Sequence, residues 1–306
     1  MCFSHNFWPL LISGIENGSM YALIALGYTL VYGVLQLINF AHSEVFMMSA
    51  YFGLFLIAIF GGMANPLLAG IAGTLLAMVG AALLGVVIER AAYRPLRGRG
   101  RGALLRITPL VTALGMSVLL QNLAQLLFTA RFRPYPQLMT GTVTLPGIGT
   151  LSTSRALILV VTVFVMVVLE LIVKRTWFGK AMRALSANEE AAQLMGIRTS
   201  RVISTTFALG SSLAALGAVL YCLDQSQVYP TMGVVIGTRA FIAAVLGGIG
   251  SISGAMLGGL LIGVIGEMVK LTDYSGGADV LVFLVLIVVL LVRPAGLLGS
   301  TRAEKV

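Results

Sequence analysis

Charge is what this chain lacks most. Of 306 residues only 10% are Asp, Glu, Lys or Arg, against about 25% in an average soluble domain. A soluble fold of this length needs far more polar surface than that. Lysine occurs at four positions only (174, 180, 270 and 305), and none completes a G-x-x-x-x-G-K-[ST] loop. If ATP drives this protein, another chain hydrolyses it. The two histidines, His5 and His42, stand far apart without zinc-ligand spacing. The two cysteines, Cys2 and Cys222, sit in apolar surroundings and read as small buried hydrophobes rather than a disulfide or a metal site. No G-x-S-x-G elbow and no hydrolytic acid pair appear, so no catalytic residue, metal or cofactor is expected. The start, Met1 to Trp8, shows no basic n-region of a cleavable signal.

What is present is apolar. Hydrophobic residues make up 58% of the chain, and the mean hydropathy is +0.99. Eight apolar stretches approach the ~20 residues that cross a bilayer core: 9–31, 45–60, 66–88, 107–128, 156–173, 202–223, 237–268 and 279–293. Trp8, Tyr221 and Tyr274 sit near segment ends, where aromatic rings favour the interface. The expected fold is all-α: a polytopic transmembrane bundle of about 8–10 segments, with broken helices, forming a single transmembrane domain over 1–306.

The seventh stretch is too long for one span, and Gly247-Gly248-Ile249-Gly250-Ser251 interrupts it. Two shorter helices with a break are expected there. A similar break follows the first stretch, around Asn39-Phe40-Ala41-His42-Ser43-Glu44. Irregular backbone at membrane depth is tolerated where it is buried in protein or lines a polar cavity. Both breaks lead into helices with small pairs, Ser49-Ala50 and Gly258-Gly259, which suggests an internal repeat. Gly254 and Gly258 have the small-xxx-small spacing of closely packed helices.

The net charge of +9 records orientation. Arg90, Arg94, Arg97, Arg99, Arg101 and Arg106 fall in loop 89–106, and Lys174, Arg175, Lys180, Arg183, Arg198 and Arg201 in loop 174–201. Basic loops stay in the cytoplasm, so both loops are expected inside. Loops 129–155 and 224–236 then face outward. Arg293, Arg302 and Lys305 favour a cytoplasmic C-terminal tail, which parity allows if the seventh stretch crosses twice. Nothing in this pattern points to nucleic acid.

Loop 174–201 holds a candidate short helix, which on the residues alone reads as a surface linker. Asn188 is an N-cap candidate, Glu189 and Glu190 suit the first turn, and Ala191, Ala192, Leu194 and Met195 continue a helix of about two turns, which Gly196 ends. Such an element can lie on the membrane surface or enter a groove of a soluble partner. Ionisable residues inside apolar stretches are functional candidates. Glu16, beside Asn17 and Gly18, is the most embedded; Glu170 reads as neutralised by Lys174 one turn on. His42 and Glu44 either line a pathway or hold their turn.

Four stretches carry a family resemblance: Tyr21 to Gly33 ending in Ile38-Asn39-Phe40-Ala41-His42; Asn188 to Ile197 with Arg201-Val202-Ile203; Ala240 to Ala255; and Arg293-Pro294-Ala295-Gly296-Leu297-Leu298-Gly299. Together, over about residues 9–300, they resemble the LivH-type permease of branched-chain amino acid ABC transporters. Ser43 stands where the family usually has Gly, and Ser253 where Pro is common. The resemblance implies a multi-pass subunit of the bacterial inner membrane that is not an enzyme. Its implied partners are a homologous LivM-type permease, two cytoplasmic ATP-binding subunits and a periplasmic substrate-binding protein. Arg183, Asn188, Glu189, Glu190, Ala192, Leu194, Met195 and Gly196 match the ATPase-docking loop. Alternating access would run past the two breaks, with Glu16, Asn39, His42, Glu44, Gly247, Gly248, Gly250 and Ser251 as pathway candidates. Related permeases carry urea, short amides or other amino acids, and an ion-coupled secondary transporter is the competing class.

Overall fold

The computed structural model describes residues 3–61, 65–96, 104–137, 141–145, 149–271 and 275–299. Cys2, Arg97, Arg99, Arg101, Tyr274, Arg302 and Lys305 lie outside the described residues. The helices in chain order are α1 (Phe3–Leu35), α2 (His42–Phe60), α3 (Pro66–Ile88), α4 (Leu104–Phe128), α5 (Thr153–Arg175), α6 (Trp177–Ala187), α7 (Glu189–Leu194), α8 (Thr199–Gln225), α9 (Met232–Gly247), α10 (Ile252–Met268) and α11 (Ala278–Val292). Seven among the described residues are long and apolar enough to cross a membrane, and the shorter apolar helices α9 and α11 complete the bundle. The protein is therefore an all-α multi-pass membrane protein. Every expected apolar stretch is helical, and the seventh is divided into α9 and α10 as its glycines require.

The core is built around α1, which is buried almost throughout between α10, α8 and α9. Small residues make this possible. Gly14 and Gly18 on α1 face Gly259 and Gly263 on α10, and a Cβ on Gly259 would stand 2.5 Å from the Cα of Ala22. Each helix thus contributes its own G-x-x-x-G face, which lets the backbones meet. The Gly254 and Gly258 pair turns the other way, against Gly247 and Ala243 of α9. By contrast, α3, α4, α5 and α11 carry long exposed apolar faces (Leu75, Leu83, Leu119, Phe164 and Leu291 among them), as lipid-facing helices must.

Short strands, absent from the sequence reading, occur among the described residues only in and beside loops 129–155 and 224–236. Arg133–Pro134 (β1) pairs antiparallel with Gln227–Val228 (β4), and Thr142–Leu145 (β2) with Gly149–Ser152 (β3). Loops 129–155 and 224–236 therefore meet each other at the end of the bundle opposite the basic loops. Arg155, in the first turn of α5, reaches Ser13 and Glu16 of α1, which puts the N-terminal end of α1 on that same side.

Loop 89–106 begins helically rather than as coil. A π-turn over Glu89–Tyr93 and a 3-10 turn over Arg94–Leu96 extend α3. The π-turn lets the Glu89 carboxylate, buried at the end of an apolar run, accept from the Ser204 hydroxyl on α8 at 2.7 Å.

Candidate functional site

On the basic side, the stretch 174–201 holds two short helices, not one, ahead of α8. Thr176 accepts from the Gly179 N–H and caps α6, an 11-residue helix that sequence reading left unassigned. Its buried face is Ala181, Met182 and Leu185. Asn188 then caps α7, accepting from the Ala191 N–H at 3.0 Å. That helix has six residues, about 9 Å, rather than the expected two turns. Gly196 ends it at φ +82°, the left-handed conformation that favours glycine.

Ala192 is buried against the bundle, while Leu194 and Met195 are 89% and 83% exposed. Two large apolar side chains at the tip of a charged loop, away from the lipid-facing helices, form a ledge. Glu189 and Glu190 are exposed beside it. Arg183 does not point to this ledge: its Nη1 donates to the Val173 carbonyl at 2.5 Å, pinning α6 to the end of α5. Gln36 completes the attachment, its Nε2 donating to the Ser186 carbonyl at 3.0 Å and joining the end of α1 to α6.

The chain turns back after α1 at Gln36, φ +52°. Asn39 holds this first break: its Oδ1 accepts from the Ala41 N–H at 3.1 Å and from the Tyr93 hydroxyl at 2.7 Å. The Ser43 hydroxyl donates to the Phe40 carbonyl. The side chains of His42 and Glu44 do not hold the turn. His42 is buried against Tyr28, ring centroids 4.7 Å apart, beside Gly27, about two turns before the end of α1. Glu44 is buried beside Gly233 of α9, and the Ser117 hydroxyl on α4 is its neighbouring polar group.

The second break is closed by the C-terminal segment. The Leu297 and Leu298 N–H groups donate to the carbonyls of Leu246 and Gly247, each at 2.9 Å, while Gly248 N–H serves Ala244 and Val245. All four carbonyls that a helix end leaves open are thereby satisfied. Gly248 and Gly296 take φ +105° and +80° to allow this. Ser251 then caps α10, accepting from the Gly254 N–H at 3.1 Å.

These parts border an open cavity of about 690 Å³ on the basic side, lined by Thr29, Tyr32 and Gly33 of α1 and Gln36 just after it, by Met182, Arg183 and Ser186 of α6, and by Gly250, Ser251, Pro294 and Ala295 around the break. Gly33 and Gly250 approach each other across it. Of the pathway candidates, Gly250 and Ser251 line this cavity; Gly247 and Gly248 stand behind it, packed on Gly254 and Gly299. Asn39, His42 and Glu44 line the separate fold of the first break. Glu16 stands at the opposite end of α1. There Arg155 bridges it at 3.5 Å and Asp224 at 3.2 Å. Sequence reading also missed Glu89 and the closing role of the C-terminal segment, whose motif it had noted. A carboxylate ending an apolar run was the available signal for the former, and helix-end carbonyls without local partners for the latter.

Comparison with known proteins decides the family. The model of the branched-chain amino acid transport system / permease component matches residues 10–291. The chain belongs to this family. As a permease component it is 41% identical, over 99% of both chains, to the high-affinity branched-chain amino acid transport system permease protein BraD of Pseudomonas aeruginosa. It is 40% identical, over 98% of both, to LivH of Escherichia coli K12, which bears the same description. The ribose import permease protein RbsC of Bacillus subtilis shares 32% identity over 43% of each chain. No solved structure matches it. Its membrane location follows from these relatives and from its apolar helices.

Proposed function

We propose that this permease forms half of the membrane channel of an ATP-driven importer for branched-chain amino acids. Its near full-length similarity to BraD and LivH supports the substrate class. The observation that carries the coupling is the exposed Leu194–Met195 ledge on the basic, cytoplasmic side. A soluble ATP-binding subunit covers that ledge, and two such subunits serve the paired permeases, this chain and a homologous LivM-type partner. A periplasmic binding protein delivers substrate to the opposite face, where β1–β4 and the Arg155 cluster lie.

The attachments of α6 give the mechanism. Closure of the ATP-binding subunits pushes α7; α6 moves with it, and its bonds at Val173 and Gln36 pass the movement to the ends of α5 and α1. The end of α1 borders both breaks, so the same displacement alternately opens and closes the pathway. The breaks supply irregular backbone to the pathway with few charges, which suits a zwitterion with an apolar side chain.

The test is a paired measurement. Leu194→Asp with Met195→Asp should abolish co-purification of the ATP-binding subunits while membrane insertion and thermal stability stay unchanged. Proteoliposomes with the full complex should take up leucine only with ATP. Uptake by this chain alone, collapsed by an ionophore, would instead make it an ion-coupled secondary transporter.

A further inference from the structure

The cavity on the basic side has a chemistry that its place as a coupling joint does not require. Its apolar wall is Leu30, Val173, Met182, Val245 and Ile249. Several of its polar features favour an anion. The first turn of α10, a 17-residue helix, opens on it through Ser251 and Ile252, and only the Gly254 N–H is taken up by the Ser251 cap. Unpaired N–H groups and the helix dipole make such a terminus attract negative charge. Arg183 is the charged residue of the wall, and none of the described lining residues is acidic. Glu170 touches the Ser253 hydroxyl at 3.4 Å but is paired with Lys174 and stands outside the lining.

Thr29 is the second, independent pointer. It is 2% exposed and lines the cavity, and its hydroxyl has no hydrogen-bond partner. A threonine in a helix commonly bonds back to the carbonyl four residues earlier, as Thr206 does with Val202. Thr29 does not, and a buried hydroxyl left unmatched is costly unless something enters to match it.

We propose that this cavity is a carboxylate-binding site that takes the transported amino acid on the cytoplasmic side of the permease. The carboxylate lies at the first turn of α10, the Thr29 hydroxyl donates to it, and the aliphatic side chain rests among Leu30, Met182 and Val245. The identity of the ligand rests on the transport reading above; the anion chemistry does not. Because α6 forms one wall, released substrate sits against the element that receives the ATPase stroke, so product accumulating in the cytoplasm slows the next cycle.

The test uses the full chain in lipid nanodiscs, with Cys2 and Cys222 replaced by alanine and the lining residue changed by Ser186→Cys. The rate of maleimide labelling at 186 is followed with leucine, with 4-methylpentanoate, which keeps the carboxylate and lacks the ammonium group, and with 3-methylbutylamine, which lacks the carboxylate. Leucine and 4-methylpentanoate should protect and the amine should not. Thr29→Val should raise the half-protecting concentration about tenfold, as loss of one hydrogen bond to a charged group does. Thermal shifts of the unsubstituted chain with the same three compounds should rank them alike. Equal protection by the amine, no protection by either acid, or an unchanged response in Thr29→Val would overturn the site. Leucine uptake by the complex is measured separately: uptake without protection removes only this site, and protection without uptake removes only the transport reading.

Discussion

Gly248 and Gly296 lie backbone to backbone, so close that a Cβ on Gly296 would stand 2.5 Å from the Cα of Gly248. One belongs to the break between α9 and α10, the other to the segment that follows α11. Their contact positions Leu297 and Leu298 to satisfy the end of α9. Both adopt positive φ, so neither backbone demand nor space admits a side chain.

Gly296→Ala should therefore lower stability by roughly 2–4 kcal/mol, a left-handed backbone cost combined with overpacking. Gly250→Ala keeps the positive φ but meets open space, and should cost only about 1–2 kcal/mol. Gly266→Ala, in the interior of α10 with nothing near it, should be neutral or gain up to ~1 kcal/mol. Thermal unfolding of the three purified variants in one detergent checks the order.

Gly259→Val probes the helix pair at the centre of the bundle. Its Cβ would press on the Ala22 backbone, 2.5 Å away, where no flexible side chain can yield. Separation of α1 from α10 should reduce the folded yield strongly. A Gly115→Val change on α4, where nothing lies within 4 Å, should leave it near the parent value. Fluorescence-detected gel filtration separates the two outcomes.

At the first break, Tyr93→Phe should cost about 1 kcal/mol, the net worth of one hydrogen bond. Asn39→Ala should cost more, about 2–3 kcal/mol, because it strips acceptors from both the Tyr93 hydroxyl and the Ala41 N–H. A double variant that costs no more than Asn39→Ala alone would show that the two residues act through this bond.

Arg155 faces two carboxylates, Glu16 and Asp224, of which Glu16 is buried. Arg155→Met should destabilise by about 3 kcal/mol, the lower end for a broken buried pair because the guanidinium is partly exposed. Glu16→Gln should cost about 1 kcal/mol or less, since Asp224 remains to pair with Arg155. Combining the two should recover a good part of the Arg155→Met loss. A thermal double-mutant cycle reads this directly; simple additivity would contradict the shared site.

The parts legible in sequence are those whose signal is local. Helix positions followed from apolar runs, the divided seventh stretch from Gly247 to Ser251, and the cap of α7 from Asn188. Helix α6 was missed because Trp177 to Ala187 mixes charge and apolar residues at a density between those of a span and a loop, and its amphipathic face acquires meaning only from the surfaces of α1 and α5. Glu89 was passed over because it stands beside six arginines and reads as solvated; only the π-turn buries it on Ser204. The Thr29 hydroxyl gave no signal at all, since a threonine within an apolar helix ordinarily satisfies itself. Contacts between backbone atoms, such as Leu297 with Leu246, leave no side-chain trace to read.

The closing of α9 by residues 297 and 298 also sets an order of assembly. During synthesis α9 and α10 leave the ribosome before their cap exists, with the carbonyls of Leu246 and Gly247 still open. The break can take its final shape only once α11 has inserted and the chain beyond it has emerged. Quality-control proteases that sample unfinished membrane proteins would therefore meet a vulnerable α9–α10 turn in any chain stopped before residue 298, even though every membrane-crossing helix is already in place.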